Sequence, residues 1–181
     1  MWIGGLALSM SNDNRLANIV LAGFMGVGKS TVGRLLADRL RWNFVDTDEE
    51  IVSRFGMSIP DIFAEHGEVG FRRYEDIVCQ SVAMRDAHVI ATGGGMVINP
   101  TNRALLASTG MLVYLHADVE AIRKRLGEIA KSGRPLAWGW EDRYEERLPI
   151  YHTLPYTIDT THLTPYQVTD RLVELWKQIY K

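Results

Sequence analysis

A second cysteine is missing from this sequence, and with it any intrachain disulfide: Cys79 stands alone among 181 residues. A chain with no cross-link suits a reducing compartment, so a cytoplasmic location is expected. Long apolar runs are missing too. The longest near the start, residues 1–10, is broken by Gly4 and Gly5, lacks a basic flank and is too short to span a bilayer. Nor is there an excess of positive charge. The 20 Lys and Arg against 22 Asp and Glu give a formal net charge of -2, which offers little to attract nucleic acid or a membrane surface. The five histidines, His66, His88, His116, His152 and His162, show no metal-ligand spacing such as H-x-x-x-H.

What is present suits a globular α/β domain: 46% hydrophobic and 23% charged residues. Short apolar runs at residues 19–22, 44–46, 89–91, 111–115 and 156–158 read as buried strands. Between them lie helical patterns at 30–41, 48–55, 59–66, 68–85, from 99 onward, at 117–129 and from 164 to near 181. Ser58 is placed to cap the third of these and Gly67 to close it. Strands alternating with helices imply crossover connections and a parallel sheet covered on both faces. Residues 1–17 read as an N-terminal extension, with Met10 as an alternative start, and residues 18–181 as one domain. A monomer is expected, because such a fold needs no partner to bury its core.

The strongest motif is GFMGVGKS at residues 23–30, which fits G-x-x-x-x-G-K-[ST] between a buried strand and an amphipathic helix. Glycines let the backbone of Gly26, Val27 and Gly28 wrap a phosphate with its N–H groups inward, and the following helix adds the positive end of its dipole. Lys29 supplies a mobile charge for the β- and γ-phosphates of ATP, and the Ser30 hydroxyl is placed to ligate Mg²⁺. Thr31 either adds a phosphate contact or fills the helix. No metal beyond nucleotide-bound Mg²⁺ is indicated.

Asp46 and Asp48 end the second strand, where a period of two sets them on one side at the carboxyl edge of the sheet. Two such acids can divide the work of supporting a metal and deprotonating a hydroxyl. Alternatively, Asp48 caps the next helix and Asp46 is a turn residue. Arg72 and Glu75 are i,i+3 neighbours, so Arg72 is either half of a surface ion pair or a bidentate anchor for an anionic substrate, with Arg73 the solvated partner. Arg134 precedes Pro135 on a loop that could close over ATP phosphates, and Arg147 precedes Leu148-Pro149 near a helix break. Gly93-Gly94-Gly95 permits positive φ and close backbone approach to a ligand, or a tight turn.

These pieces coincide in one ordered pattern. With GFMGVGKST, DTDEEI, SIPDIF, GEVGFRRYE, ATGGG, RPL and RLPIY, the chain resembles the bacterial shikimate kinases from residue 18 to about 181. The resemblance implies a three-layer P-loop kinase, with a five-stranded parallel sheet of order 2-3-1-4-5 flanked by helices and a lid at about 131–146. It implies transfer of the ATP γ-phosphate to the 3-hydroxyl of shikimate, a step toward aromatic amino acids. It also implies roles. Lys29 and Ser30 would hold ATP and Mg²⁺, and Asp46 would support the metal through water. Asp48 would bind the acceptor hydroxyls and serve as base. Arg72 and Arg147 would grip its carboxylate, with Gly94 and Gly95 giving backbone contacts. Phe63, Phe71 and Glu75 would shape the pocket within an acceptor region at about 46–75, and Arg134 would reach ATP from the lid.

One departure is visible. The family pattern carries a longer stretch between the two arginines, by roughly one and a half to two helical turns. Here only residues 135–146 intervene, and they contain Trp138-Gly139-Trp140, read as packing the shortened segment onto the body in preference to stacking on adenine. The altered lid keeps two rivals in view: a gluconate kinase-like or other small-metabolite kinase, and a catalytically silent nucleotide-binding regulator.

Overall fold

In a computed structural model, residues 17–131 and 139–180 are described. The expected N-terminal extension, apart from Ala17, and the centre of the expected lid, with Arg134 and Trp138, lie outside them.

Strand β1 (Asn18–Ala22) is buried along its whole length, which is why it reads as an uninterrupted apolar run. It sits at the middle of a five-stranded parallel sheet of order β2-β3-β1-β4-β5, with β2 Asn43–Asp46, β3 His88–Ala91, β4 Gly110–His116 and β5 Tyr156–Asp159. The register pairs Val20 with Ile90 on one side and Leu112 on the other. The expected strand order is the observed one.

Helices cover the sheet: α1 Lys29–Leu40, α2 Thr47–Phe55, α3 Ile59–Ala83, α4 Pro100–Thr109, α5 Val119–Lys131, α6 Trp140–Tyr151 and α7 Pro165–Ile179. Helix α1 buries Val32, Leu36 and Ala37 against the core. Helix α7 starts with a reciprocal cap between Thr164 and Gln167 and has Pro165 at its first position. Helix α3 is two rods joined at Gly67, whose φ of 64° and ψ of -173° break the helical path, so the separate patterns at 59–66 and 68–85 both hold. Among the described residues no helix is long and apolar enough to cross a membrane.

Two expectations need correction. Asp46 and Asp48 are not alternate strand positions: β2 stops at Asp46 and α2 starts at Thr47. Asp46 caps α2 by accepting from Asp48 N at 3.0 Å, so capping belongs to Asp46, while Asp48 lies in the first turn of the helix. Arg147 does not sit beside a break either, because α6 starts within the segment read as polar and runs through Pro149 to Tyr151. A proline this near the C-terminus forfeits one helical hydrogen bond without ending the helix at once.

Candidate active site

The parallel strands end on the same edge, and the loops leaving β1, β2 and β3 bring distant residues together there. After β1 the chain wraps into the 23–30 loop. Gly28, at φ 102°, is the N-cap of α1, a conformation that a side chain would strain. The Lys29 ammonium folds back over the loop and donates to Gly23 O at 2.8 Å and Phe24 O at 2.9 Å. Burial drives its pKa down to about 8, against the pull of the Asp48 and Asp46 carboxylates. Ser30 Oγ donates to Asp46 Oδ2 at 2.6 Å. Thr31 is exposed on α1 and lines a cleft of about 430 Å³ that runs along this helix to Pro165 and Tyr166.

A second cleft, of about 200 Å³, opens beside the loop. Asp48 forms one wall, Arg72 and Arg147 face it, Phe63 and Phe71 supply an aromatic side, and residues 93–95 form the floor. Phe63 and Phe71 pack with ring centroids 4.7 Å apart. Burial is the main cause of a raised Asp48 pKa, and Asp46 adds to it. Asp48 Oδ1 and Glu75 Oε1 are buried with no hydrogen-bond partner among the described residues. Unpaired acceptors of this kind are costly in a core and usual where a ligand binds.

Arg72 is not half of a surface pair. Its Nη1 donates to Glu75 Oε2 at 2.5 Å and its Nη2 to Glu68 Oε1 at 2.7 Å, and the Glu75 side chain is only 2% exposed. Arg73 is exposed. The guanidinium of Arg147 lies 5.8 Å from the centroid of the Phe24 ring. Trp140 is buried and packs on the same Phe24 at 6.2 Å.

The floor glycines serve for closeness alone, since none of Gly93, Gly94 and Gly95 has positive φ. A Cβ on Gly93 would stand 2.4 Å from Asp48 Oδ1, and one on Gly95 2.1 Å from Arg72 Nη1. At Gly94 the nearest atom is Arg147 Nη1, at 3.4 Å. The close approach of Asp48 and Arg72 requires glycine at 93 and 95, while position 94 lies at ordinary contact distance from Arg147.

Several site residues escape the sequence reading. Arg143 joins Arg147 in lining the cleft, one turn earlier on α6. Arg125 of α5 donates to Thr160 O at 2.6 Å and to Thr160 Oγ1 at 3.1 Å. The single proton of Thr160 Oγ1 is shared between His116 O at 2.9 Å and Val27 O of the phosphate loop at 3.3 Å, which ties the loop to the end of β4. Only the i,i+4 spacing of Arg143 and Arg147 hints at any of this in advance.

A phosphate loop beside a cleft lined by Asp48 and by Arg72, Arg143 and Arg147 suits phosphoryl transfer to a hydroxylated acid. A family model described as shikimate kinase matches residues 25–177. The chain belongs to the shikimate kinase family. The shikimate kinase of Caldicellulosiruptor bescii is 39% identical over 165 residues, covering 88% of this chain and 95% of its own length. The crystallised shikimate kinase from Acinetobacter baumannii, in complex with shikimate, is 37% identical with a TM-score of 0.82, covering 91% of this chain and 95% of that one. A gluconokinase from Sinorhizobium meliloti covers 92% of this chain and 99% of its own at 16% identity and a TM-score of 0.59, and so shares the fold alone. Membership of the family makes the chain an ATP-dependent kinase, and the gluconate kinase-like alternative has no comparable support.

Proposed function

We propose that this enzyme transfers the γ-phosphate of ATP to the 3-hydroxyl of shikimate, giving shikimate 3-phosphate and ADP, and does so as a cytoplasmic monomer. The observation that carries this reading is the Asp48 carboxylate, whose buried Oδ1 has no hydrogen-bond partner among the described residues and which shares one small cleft with Arg72 and Arg147.

In this reading Arg72 and Arg147 hold the shikimate carboxylate while Phe63 and Phe71 pack the ring. Gly94 and Gly95 offer backbone contacts from the floor, and Glu75 holds Arg72 in place. Asp48 accepts the 3-hydroxyl proton as that oxygen bonds to phosphorus, so its raised pKa suits a base that must take up a proton. Lys29 keeps positive charge against the phosphoryl oxygens, with the amides of Gly26, Val27 and Gly28 around them and Thr31 and Arg134 as further contacts.

Ser30 and Asp46 fit a magnesium ion: a hydroxyl and a carboxylate meet at 2.6 Å, and hard oxygen donors are what Mg²⁺ selects. Among the described residues no three side chains of metal-binding type converge, so these two would hold the ion jointly with nucleotide oxygens. When bound, it neutralises charge on the phosphates.

The deciding test is ADP release with Mg²⁺-ATP and shikimate, gluconate or no acceptor. Turnover that depends on shikimate is expected, and ATP binding with no response to shikimate would overturn the assignment. The pH profile is a second check. The kcat/KM of the free enzyme is expected to fall above about pH 8, where Lys29 loses its proton. On the acid side it falls through a pKa above the ordinary carboxylate value, where Asp48 is protonated. An alkaline limb starting only near the ordinary lysine value of 10.5 would contradict the buried position of Lys29.

A further inference from the structure

Arg147 and the glycine floor meet beside one hydroxyl. Tyr151, the last residue of α6, is fully buried. Its ring stacks on Tyr114 of β4 with centroids 5.1 Å apart, and its hydroxyl donates to Gly94 O at 2.6 Å. Arg147 lies one turn earlier on the same helix face, and a Cβ on Gly94 would stand 3.4 Å from Arg147 Nη1 and 3.7 Å from the Tyr151 hydroxyl, so guanidinium and phenol converge on the same glycine. Burial pushes the Tyr151 pKa up to about 12, and Arg147 draws it the other way. At neutral pH the proton therefore stays on the oxygen and points at Gly94 O. Within one turn of helix, the cation that faces the cleft and the hydroxyl that holds its floor meet over one glycine.

We propose that Tyr151 is a positioning residue for the acceptor: through this hydroxyl it fixes the Arg147 guanidinium and the Gly94 carbonyl relative to each other, so that cation and floor meet the substrate as one unit. The inference rests on reading this cleft as the shikimate site. Phenylalanine at 151 keeps the ring and its stack on Tyr114. It removes the donor to Gly94 O and frees Arg147 to rotate. The effect belongs to acceptor binding, because the hydroxyl's hydrogen bond goes to the cleft floor at Gly94 O.

The experiment compares Y151F, Y114F, R147A and the double variant Y151F/R147A in steady-state kinetics and thermal unfolding. Y151F is expected to raise the shikimate KM by up to about tenfold, the upper effect of losing one ordinary hydrogen bond, with the KM for ATP and the unfolding midpoint close to the parent. Y114F removes a hydroxyl that bonds His116 Nδ1 at 3.0 Å, away from the cleft, and is expected to leave the shikimate KM unchanged. The double variant is expected to bind shikimate no worse than R147A, because the two residues act as a unit. An unchanged shikimate KM in Y151F, beside a raised one in R147A, would overturn the inference alone. Equal rises in both KM values with a lowered midpoint would also overturn it, by making Tyr151 a packing residue. No effect of R147A would overturn the site reading and the inference together.

Discussion

Asn at position 48 is expected to lower kcat by about 10²–10⁴-fold, the range for loss of a general base, with little change in the KM for ATP. The substitution keeps the shape of the side chain and removes its capacity to take a proton. It leaves the start of α2 intact, because the contact to Asp46 is made by the backbone N–H of residue 48 and not by its side chain. Folding is not expected to suffer. Burial and the neighbouring Asp46 raise the Asp48 pKa, so the ionised carboxylate costs stability as pH rises through that value. A neutral amide escapes the cost, and the unfolding midpoint at neutral pH is expected to match or exceed that of the parent. Single-turnover rates with Mg²⁺-ATP and saturating shikimate measure the chemical step directly. A kcat that survives in the variant would remove Asp48 from the chemistry.

The second large effect is expected at Arg72. Alanine there removes a charge-assisted contact worth roughly 1.5–3 kcal/mol, which corresponds to a rise of about 10–100-fold in the shikimate KM. It also strands Glu75, whose side chain is 2% exposed and has Arg72 as its bonding partner. Breaking a buried pair from one side costs up to about 3–5 kcal/mol, the rest being avoided when the orphan takes up a proton. That gives the loss a pH signature. Burial already raises the Glu75 pKa while Arg72 opposes the rise, and removing Arg72 raises it further. A folded state that holds its proton more tightly than the unfolded chain is favoured at low pH and loses that advantage as pH rises. Urea unfolding at about pH 5 and pH 8 is therefore expected to show the larger deficit at the higher pH. Equal deficits would mean that Glu75 does not depend on this arginine.

Much of this architecture is legible in the residues. A strand buried on both faces, such as β1, reads as an unbroken apolar run, and Ser58 and Thr164 announce their helices as caps. The phosphate loop is legible because its chemistry needs glycine, lysine and serine at set spacing. Other features depend on residues far apart in the chain. An i,i+3 pair looks the same exposed or buried, so the seclusion of Glu75 under Arg72 appears only once α3 lies on the 93–95 loop. Asp46 and Asp48 read as alternate strand positions because the strand-to-helix junction leaves no mark other than the cap itself. Tyr151 stands in the sequence only as the last residue of RLPIY. Its partner Gly94 is 57 positions away in sequence, and nothing local indicates that its hydroxyl has a use.

The floor of the cleft bears on how such an enzyme can change over generations. Asp48 and Arg72 each occupy the space that a methyl group on Gly93 or Gly95 would need. A mutation in that strip does not offer a slightly different pocket for selection to refine; it dislodges a group the reaction uses. The open rim is more forgiving, since Phe63 and Glu68 are both exposed and have room to vary one at a time. Divergence toward a new acceptor, natural or engineered, is therefore channelled to the rim, while Gly93 and Gly95 stay fixed beneath it.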